Sequence, residues 1–268
     1  MAEAKLKLWE LLVQRNLVST RQQAEALIMA GRVKLAGRIT AKAGQLVSLG
    51  AKVGITPGKP FAGRGGYKLA HALDRFGIVV QNRICADVGC SVGGFTDVLL
   101  QRGALRIYAI DVGYGELAWK LRRNPRVVVM ERTNARLLDK LAEAVSFVSI
   151  DVSFISLRLI LPKVKQWLDS GAVDIVALIK PQFEAPRGMV DEGGIVRSAN
   201  SRLEVLREVL SWCVSNRLNP VALERSPIQG IEGNVEYLSW LKPGEQKDVD
   251  IEALIDPLFM EEDTSARS

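Results

Sequence analysis

The chain has 268 residues, 48% of them hydrophobic, enough for one large domain and a small one around sizeable cores. No run of about 18 uncharged apolar residues occurs, and the N-terminus MAEAKLKLWELL lacks the apolar core and cleavage site of a secretion signal, so a cytoplasmic protein without a membrane span is expected. The formal net charge of +6 is unevenly placed: residues 1–60 hold ten Lys/Arg and three Asp/Glu, net +7, which leaves 26 basic and 27 acidic residues, net −1, in residues 61–268. Basic charge concentrated on a small folded unit is the footprint of phosphate-backbone binding, with a solvated basic face as the plain alternative. His71 is the one histidine, and Cys85, Cys90 and Cys213 lack C-x-x-C spacing. Both facts argue against Ser-His-Asp or Cys-His catalysis, a disulfide framework or a metal site.

In chain order, KLWELLVQRNLV carries Leu8, Leu11, Leu12 and Val13 on one helical face and ends near Asn16. Ser19-Thr20 supplies an N-cap for RQQAEALIMAG, a second helix with Ala24, Leu27 and Ile28 as its apolar stripe and Gly31 as its stop. RVKLAGRIT reads as a short strand pair around a glycine turn, and KAGQLVSLGAKVGI as further small strands. Arg15, Arg21, Arg32, Lys34 and Arg38 cluster around this unit and are candidate RNA contacts, as is Arg64 further on. The stretch TPGKPFAGRGG is rich in glycine and proline and reads as a linker or hinge, which gives domains at 1–57 and 66–268 with 58–65 between them.

Beyond it, helices (YKLAHALDRF, GFTDVLLQRG, ELAWKLRRN, SLRLILPKVKQWLDS, SANSRLEVLREVLSWCVSN) alternate with strands (RICADVG, RIYAIDVG, RVVVMER, FVSIDVS, DIVALIK, PVALERS, VEYLSWL). That alternation predicts an α/β fold with a mostly parallel sheet covered on both faces. The last two strands have no helix between them and predict an antiparallel edge, and the final ten or so residues read as frayed. The first strand ends in Asp87 and opens into a glycine-rich turn, ICADVGCSVGGFT. Glycines there let the backbone turn sharply and approach a ligand. The spacing G-x-x-x-G-G, with an acid two residues before the first glycine, favours S-adenosylmethionine over a dinucleotide. Asp87, Gly89, Ser91, Gly93, Gly94 and Phe95 are therefore candidate cofactor residues, and Asp111, at the end of the next strand, is the candidate ribose acid. A tight helix–strand contact without ligand is the plain alternative for the loop. Cys90 reads as a small filler because no histidine base accompanies it.

Charged residues at the C-terminal ends of strands point into the crevice where open α/β sheets bind ligands. Asp151 ends FVSID, Lys180 ends DIVALIK before Pro181, Glu236 follows a loop rich in Gly and Asn, and Lys68 opens the helix behind GRGG. Taken singly, each also reads as a solvated strand end or a rim charge.

Two resemblances go further. LLVQRNLVSTRQQAEALIMAGRVKLAGRIT resembles the RNA-binding module named after ribosomal protein S-four, over roughly residues 5–55. RGGYKLAHAL, DVGCSVGGFT, IDVG, IDVSFIS, IKPQFE and IEGNVEY, in that order, resemble the TlyA family of ribosomal RNA methyltransferases, also called haemolysin A, whose catalytic domain is similar to the FtsJ-like 2′-O-methyltransferases. The resemblance implies a Rossmann-like S-adenosylmethionine-dependent methyltransferase fold behind a small α+β RNA-binding domain. It implies 2′-O-methylation of a cytidine in 16S or 23S rRNA, or both, within ribosomal subunits. It also implies a catalytic tetrad of Lys68, Asp151, Lys180 and Glu236, and Asn134 at the adenine edge, where a turn asparagine is the alternative. Lys180 is the favoured proton acceptor because its strand is apolar, Lys68 the group that binds the incoming hydroxyl or phosphate, Asp151 the orienting acid and Glu236 the residue that steers Lys68 or the ribose; the two lysines could exchange roles. FAGRGG departs from the family's usual aromatic-Val-Ser-Arg run. Phe183, Tyr237 and Trp240 are candidates for base stacking, with core packing the default for Trp240. A non-catalytic RNA-binding or ribosome-assembly factor is the alternative, and a pore-forming haemolysin would need an export signal and a membrane element that the sequence does not show.

Overall fold

The computed structural model describes residues 5–40, 42–58, 60–230 and 233–265, and the chain falls into two compact units, up to Pro60 and from Phe61. In the first, β1 (Lys5–Lys7) pairs antiparallel with β4 (Leu46–Ser48), and β2 (Val33–Leu35) lies between β3 (Arg38–Ile39) and β5 (Val53–Ile55). Helices α1 (Leu8–Gln14) and α2 (Arg21–Met29) pack on a small core of Leu8, Leu11, Leu12, Ala24, Ile28, Val33 and Val47. Local chemistry sets the boundaries. The chain turns left-handed at Asn16 (φ 56°) just after α1, the Thr20 hydroxyl caps α2 by accepting from the Gln23 amide at 3.2 Å, and Gly31 (φ 66°) closes it. Strand β1 has no counterpart in the sequence reading, because three residues, two of them lysines, give no alternation to read.

The second unit is built on seven strands in the order β11-β12-β10-β9-β6-β7-β8. These are β6 (Ile84–Val88), β7 (Arg106–Ile110), β8 (Val127–Met130), β9 (Phe147–Ile150), β10 (Asp174–Ile179), β11 (Leu218–Arg225) and β12 (Tyr237–Pro243). Strands β6 to β10 run parallel, while β12 runs antiparallel to both β10 and β11. The last two strands are thus antiparallel to each other as expected, but β12 is inserted inside the sheet and β11 forms the edge. Insertion lets the apolar YLSWL segment be covered on both sides: Tyr237, Leu238 and Leu241 are buried.

One face of the sheet carries α3 (Gly65–Phe76) and α4 (Gly94–Gln101), packed with Leu69, Leu73, Val98 and Leu99 against Ile107, Phe147 and Val176. The other carries α6 (Leu157–Val164), α8 (Ala199–Ser215) and α9 (Ile251–Ser265), with Leu161, Leu206, Leu210 and Ile255 against Val148, Ile150 and Ile175. Short helices α5 (Trp119–Arg122) and α7 (Pro181–Glu184) follow β7 and β10. The expected long helix after β9 ends at Val164 and continues as a 3-10 turn through Trp167. Helix α9 has no counterpart in the sequence reading: Ile251, Leu254, Ile255, Leu258 and Phe259 pack on the core, with the Phe259 ring 6.2 Å from Tyr237, and helical backbone runs through Ser265 into the stretch expected to fray. Residues 266–268 lie outside the described residues. The stretch read as a linker is divided as well. Phe61 packs on the larger core, the Ala62 amide donates to Asp97 at 2.8 Å and Gly65 starts α3, so these residues are built into the second unit.

Candidate active site

Sheet order reverses between β6, followed in sequence by β7 and β8 to one side, and β9, followed by β10 to the other; loops from that point diverge and leave a crevice. Gly89, directly after β6, has φ 83°, and a Cβ there would lie 2.3 Å from the Asp151 carbonyl oxygen after β9. Glycine therefore lets the two loops touch. At the start of α4 a Cβ on Gly94 would lie 2.8 Å from the Gly66 amide, so the first turns of α3 and α4 also meet backbone to backbone. That contact aims Lys68, in the first turn of α3, into the crevice.

The resulting cleft has a volume of about 510 Å³, and its wall includes Arg64, Lys68, Asp151, Lys180 and Glu236 together with Gly89, Ser91, Gly94 and Phe95. The four charged residues proposed as a tetrad converge there from four separate elements. Lys180 Nζ donates to Asp151 Oδ1 at 2.6 Å, Lys68 Nζ donates to Glu236 Oε2 at 2.5 Å, and Lys68 Nζ lies 4.0 Å from Asp151 Oδ2. Both lysines and Glu236 are buried, at 7%, 8% and 3% exposure, which makes this a desolvated charge chain and not a solvated rim.

Other sequence candidates separate into three groups. Asp87 is brought near but does not open to the cleft: it is fully buried, its carboxylate accepting from the Thr96 hydroxyl at 2.6 Å and the Ser149 hydroxyl at 3.2 Å. Its contribution is to tie β6, β9 and α4 together behind the glycine loop, which corrects the direct cofactor contact expected of it. Burial pushes its carboxyl up from 3.8 to about 7, against the two hydroxyl hydrogen bonds. Gly93 (φ 92°) is the N-cap of α4, behind the cleft wall. Asp111 lies beside the cleft, with Oδ2 accepting from the Ser91 amide at 2.7 Å and Oδ1 from the Gly113 amide at 2.8 Å. Asn134 caps a 3-10 turn by accepting from the Arg136 amide at 3.0 Å. Exposed Val112 and Leu137 flank these two positions with apolar surface.

Among the aromatic candidates Phe183 lines the cleft, whereas Tyr237 is core and Trp240 stacks on Phe76 at 5.9 Å and donates to Asp174. Cys90 is buried, and burial pushes its thiol far above the ordinary value, which fits a filler. In the first unit Lys34 and Arg38 stand exposed on the β2–β3 hairpin. Arg15 and Arg32, by contrast, also hold backbone: Arg15 donates to the carbonyls of Leu49 and Ala51, and Arg32 to that of Thr56. Arg21 is paired with Glu25 and sits over the Trp9 ring.

Several residues of the cleft and the loops behind it carried no separate signal in the sequence. Ser153 accepts from Lys180 at 2.9 Å. Phe154, 90% exposed at φ 62°, packs its ring 5.0 Å from Phe183. Glu184 is buried, which pushes its carboxyl up, and accepts from the Ser156 hydroxyl and the Leu157 amide, both at 2.6 Å, tying the loop after β10 to that after β9. All three fall inside the IDVSFIS and KPQFE segments, whose distinctiveness was visible while the contacts behind it were not.

A seven-stranded sheet with one reversed strand next to its edge, a glycine loop after the first strand and an acid after the second define a Rossmann-like methyltransferase fold. Family comparison agrees: residues 61–243 match the FtsJ-like methyltransferase model and residues 7–53 the S4 domain. The chain belongs to the FtsJ-like methyltransferase family, with an S4 domain ahead of the catalytic one. It is 45% identical to YqxC of Bacillus subtilis over 251 residues, covering 91% of this chain and 89% of that protein. It is 43% identical to the 16S/23S rRNA (cytidine-2′-O)-methyltransferase TlyA of Mycobacterium tuberculosis, covering 86% and 87%. A solved chain from Streptococcus thermophilus, provisionally called a hemolysin, is 38% identical with a TM-score of 0.71 and full coverage of both chains. Among the described residues no helix is long and apolar enough to cross a membrane, and no group of three or more His, Cys, Asp or Glu is placed to hold a metal ion.

Proposed function

We propose that this protein is a cytoplasmic S-adenosylmethionine-dependent rRNA methyltransferase that modifies the 2′-oxygen of a cytidine in 16S rRNA, 23S rRNA or both, on ribosomal subunits. The observation that carries the reading is the convergence of Lys68, Asp151, Lys180 and Glu236 in one cleft beside the glycine loop. The name of the Mycobacterium tuberculosis relative supports the substrate.

The residues present fit the cofactor. Gly89, Ser91, Gly94 and Phe95 line the cleft on the side of Asp111, whose carboxylate would meet the ribose hydroxyls. Asn134, between exposed apolar surfaces, would meet the adenine edge. When bound, S-adenosylmethionine supplies a methyl group on a sulfonium, already activated for transfer to oxygen.

What remains for the protein is to place the ribose hydroxyl and take its proton. Lys180 Nζ is the proton acceptor in its amine form, held by Asp151. Lys68, set between Glu236 and Asp151, supplies the positive charge that holds the hydroxyl or its neighbouring phosphate. Arg64, on the cleft wall, and Arg15, Arg21, Arg32, Lys34 and Arg38 of the S4 domain contribute phosphate contacts that position structured RNA.

The test is to incubate the protein with methyl-labelled S-adenosylmethionine and unmodified ribosomal subunits, then digest the RNA to nucleosides. Labelled 2′-O-methylcytidine is expected. Label on a base, or no label despite measurable cofactor binding, overturns the reading.

A further inference from the structure

The four-residue site leaves one contact unexplained: the hydroxyl of Ser153, which is placed 2.9 Å from Lys180 Nζ on the cleft wall. Ser153 is an exposed residue, so no packing need fixes a serine there. The next residue, Phe154, takes a left-handed φ of 62°, a conformation that bulky side chains avoid and that persists where surrounding structure imposes it. Asp151 and Ser153, two residues apart in the loop after β9, both reach the same nitrogen.

Resting on the methyltransferase reading above, we propose that Ser153 is a positioning residue that orients the lone pair of Lys180 toward the ribose hydroxyl. A neutral amine has two N–H bonds and one lone pair in roughly tetrahedral directions around nitrogen. Asp151 Oδ1 at 2.6 Å takes one hydrogen and Ser153 Oγ at 2.9 Å takes the other. One direction on the nitrogen is then left for the lone pair, and Lys180 lies on the wall of the cleft. In the proton transfer the ribose O–H bond breaks, its electron pair stays on oxygen, and the proton joins Nζ to give an ammonium, which afterwards releases it to solvent. With Asp151 alone the amine rotates about Cε–Nζ and its lone pair points away from the hydroxyl part of the time. Among the described residues the partners of Lys68 are the carboxylates of Glu236 and Asp151, so the serine also distinguishes the two lysines.

The experiment compares wild type, Ser153→Ala, Ser153→Thr, Lys180→Ala and the Lys180→Ala/Ser153→Ala double variant on ribosomal subunits. It is run beside calorimetric binding of S-adenosylhomocysteine. For Ser153→Ala, kcat is expected to fall about tenfold, the loss of one hydrogen bond, with KM for RNA and cofactor affinity unchanged. Ser153→Thr, which keeps the hydroxyl, restores the rate. In the Lys180→Ala background the serine change costs nothing more, because Ser153 acts through Lys180. A kcat within about twofold of wild type for Ser153→Ala, a threonine variant as slow as alanine, or the same penalty with Lys180 already removed overturns the proposal. Should the alanine variant fail to bind S-adenosylhomocysteine, the near-isosteric pair Ser153→Thr and Ser153→Val carries the same comparison. A wild-type protein that transfers no methyl group to rRNA overturns the functional reading and this inference with it, whereas an active wild type with an indifferent Ser153 overturns the inference alone.

Discussion

Replacing Asp87 by asparagine isolates the cost of one buried carboxyl group. Asp87 is fully buried between the Thr96 and Ser149 hydroxyls, and burial raises it from 3.8 to about 7. Its folded value lies above its unfolded one, so the folded state binds the extra proton. The stability it contributes is therefore fully present below about pH 4 and is lost as pH rises through about 7. A rise of about three pH units at 1.36 kcal/mol each sets the difference at roughly 4 kcal/mol. In Asp87→Asn the amide oxygen still accepts from Thr96 and the amide nitrogen can donate to Ser149, so shape and partners survive while the titration disappears. The assay is urea unfolding of both proteins between about pH 4 and pH 8, followed by tryptophan fluorescence, to which Trp119, Trp167, Trp212 and Trp240 of the larger unit contribute. Stability of the variant relative to wild type is expected to climb by about 4 kcal/mol across that range, other titrating groups cancelling in the difference. A difference that stays flat within about 1 kcal/mol refutes the reasoning, since Asp87 would then ionise as it does in the unfolded chain.

The remaining expectations concern the cleft and the RNA-binding unit. Lys180→Ala and Glu236→Ala should each lower methyl transfer by roughly two to four orders of magnitude while S-adenosylhomocysteine binding in calorimetry is kept, because the first loses the proton acceptor and the second the carboxylate that holds Lys68; retained turnover in either would remove that residue from the chemistry. Gly89→Ala places a methyl group 2.3 Å from the Asp151 carbonyl oxygen at φ 83°, so cofactor binding should fall below detection and the melting temperature should drop. Lys34→Ala with Arg38→Ala, both exposed on the hairpin, should weaken rRNA binding and lower the slope of log affinity against log salt by about one per lost phosphate contact. An unchanged slope would show that the hairpin does not touch the phosphate backbone.

Much of this protein was legible in its sequence. Turn and cap residues such as Thr20 and Gly31 act on neighbours a few positions away, so boundaries they set could be read locally. The parallel strands betrayed themselves as short apolar runs ending in a charge; two of those ends are Asp151 and Lys180, while Lys68 in the helix before β6 and Glu236 just ahead of β12 complete the cluster on the cleft wall. Helix α9 was missed although Ile251, Leu254, Ile255 and Leu258 keep helical spacing, because flanking acids and a proline at 257 obscured it.

What the tertiary structure alone decided is which groups meet. Asp87 and Asp111 both end strands beside the same loop, yet one is sealed between Thr96 and Ser149 and the other receives the Ser91 amide at the cleft. Ser149 lies 62 positions from Asp87, and Glu236 lies 168 positions from Lys68. Insertion of β12 beside β10 places Glu236, at its start, next to Lys180, and no local pattern encodes that insertion. Periodicity and turn chemistry depend on covalent neighbours, so the sequence determined the elements and their punctuation. Hydrogen-bond partners and burial depend on residues that only the folded sheet brings together, so the role of each charge waited on the fold.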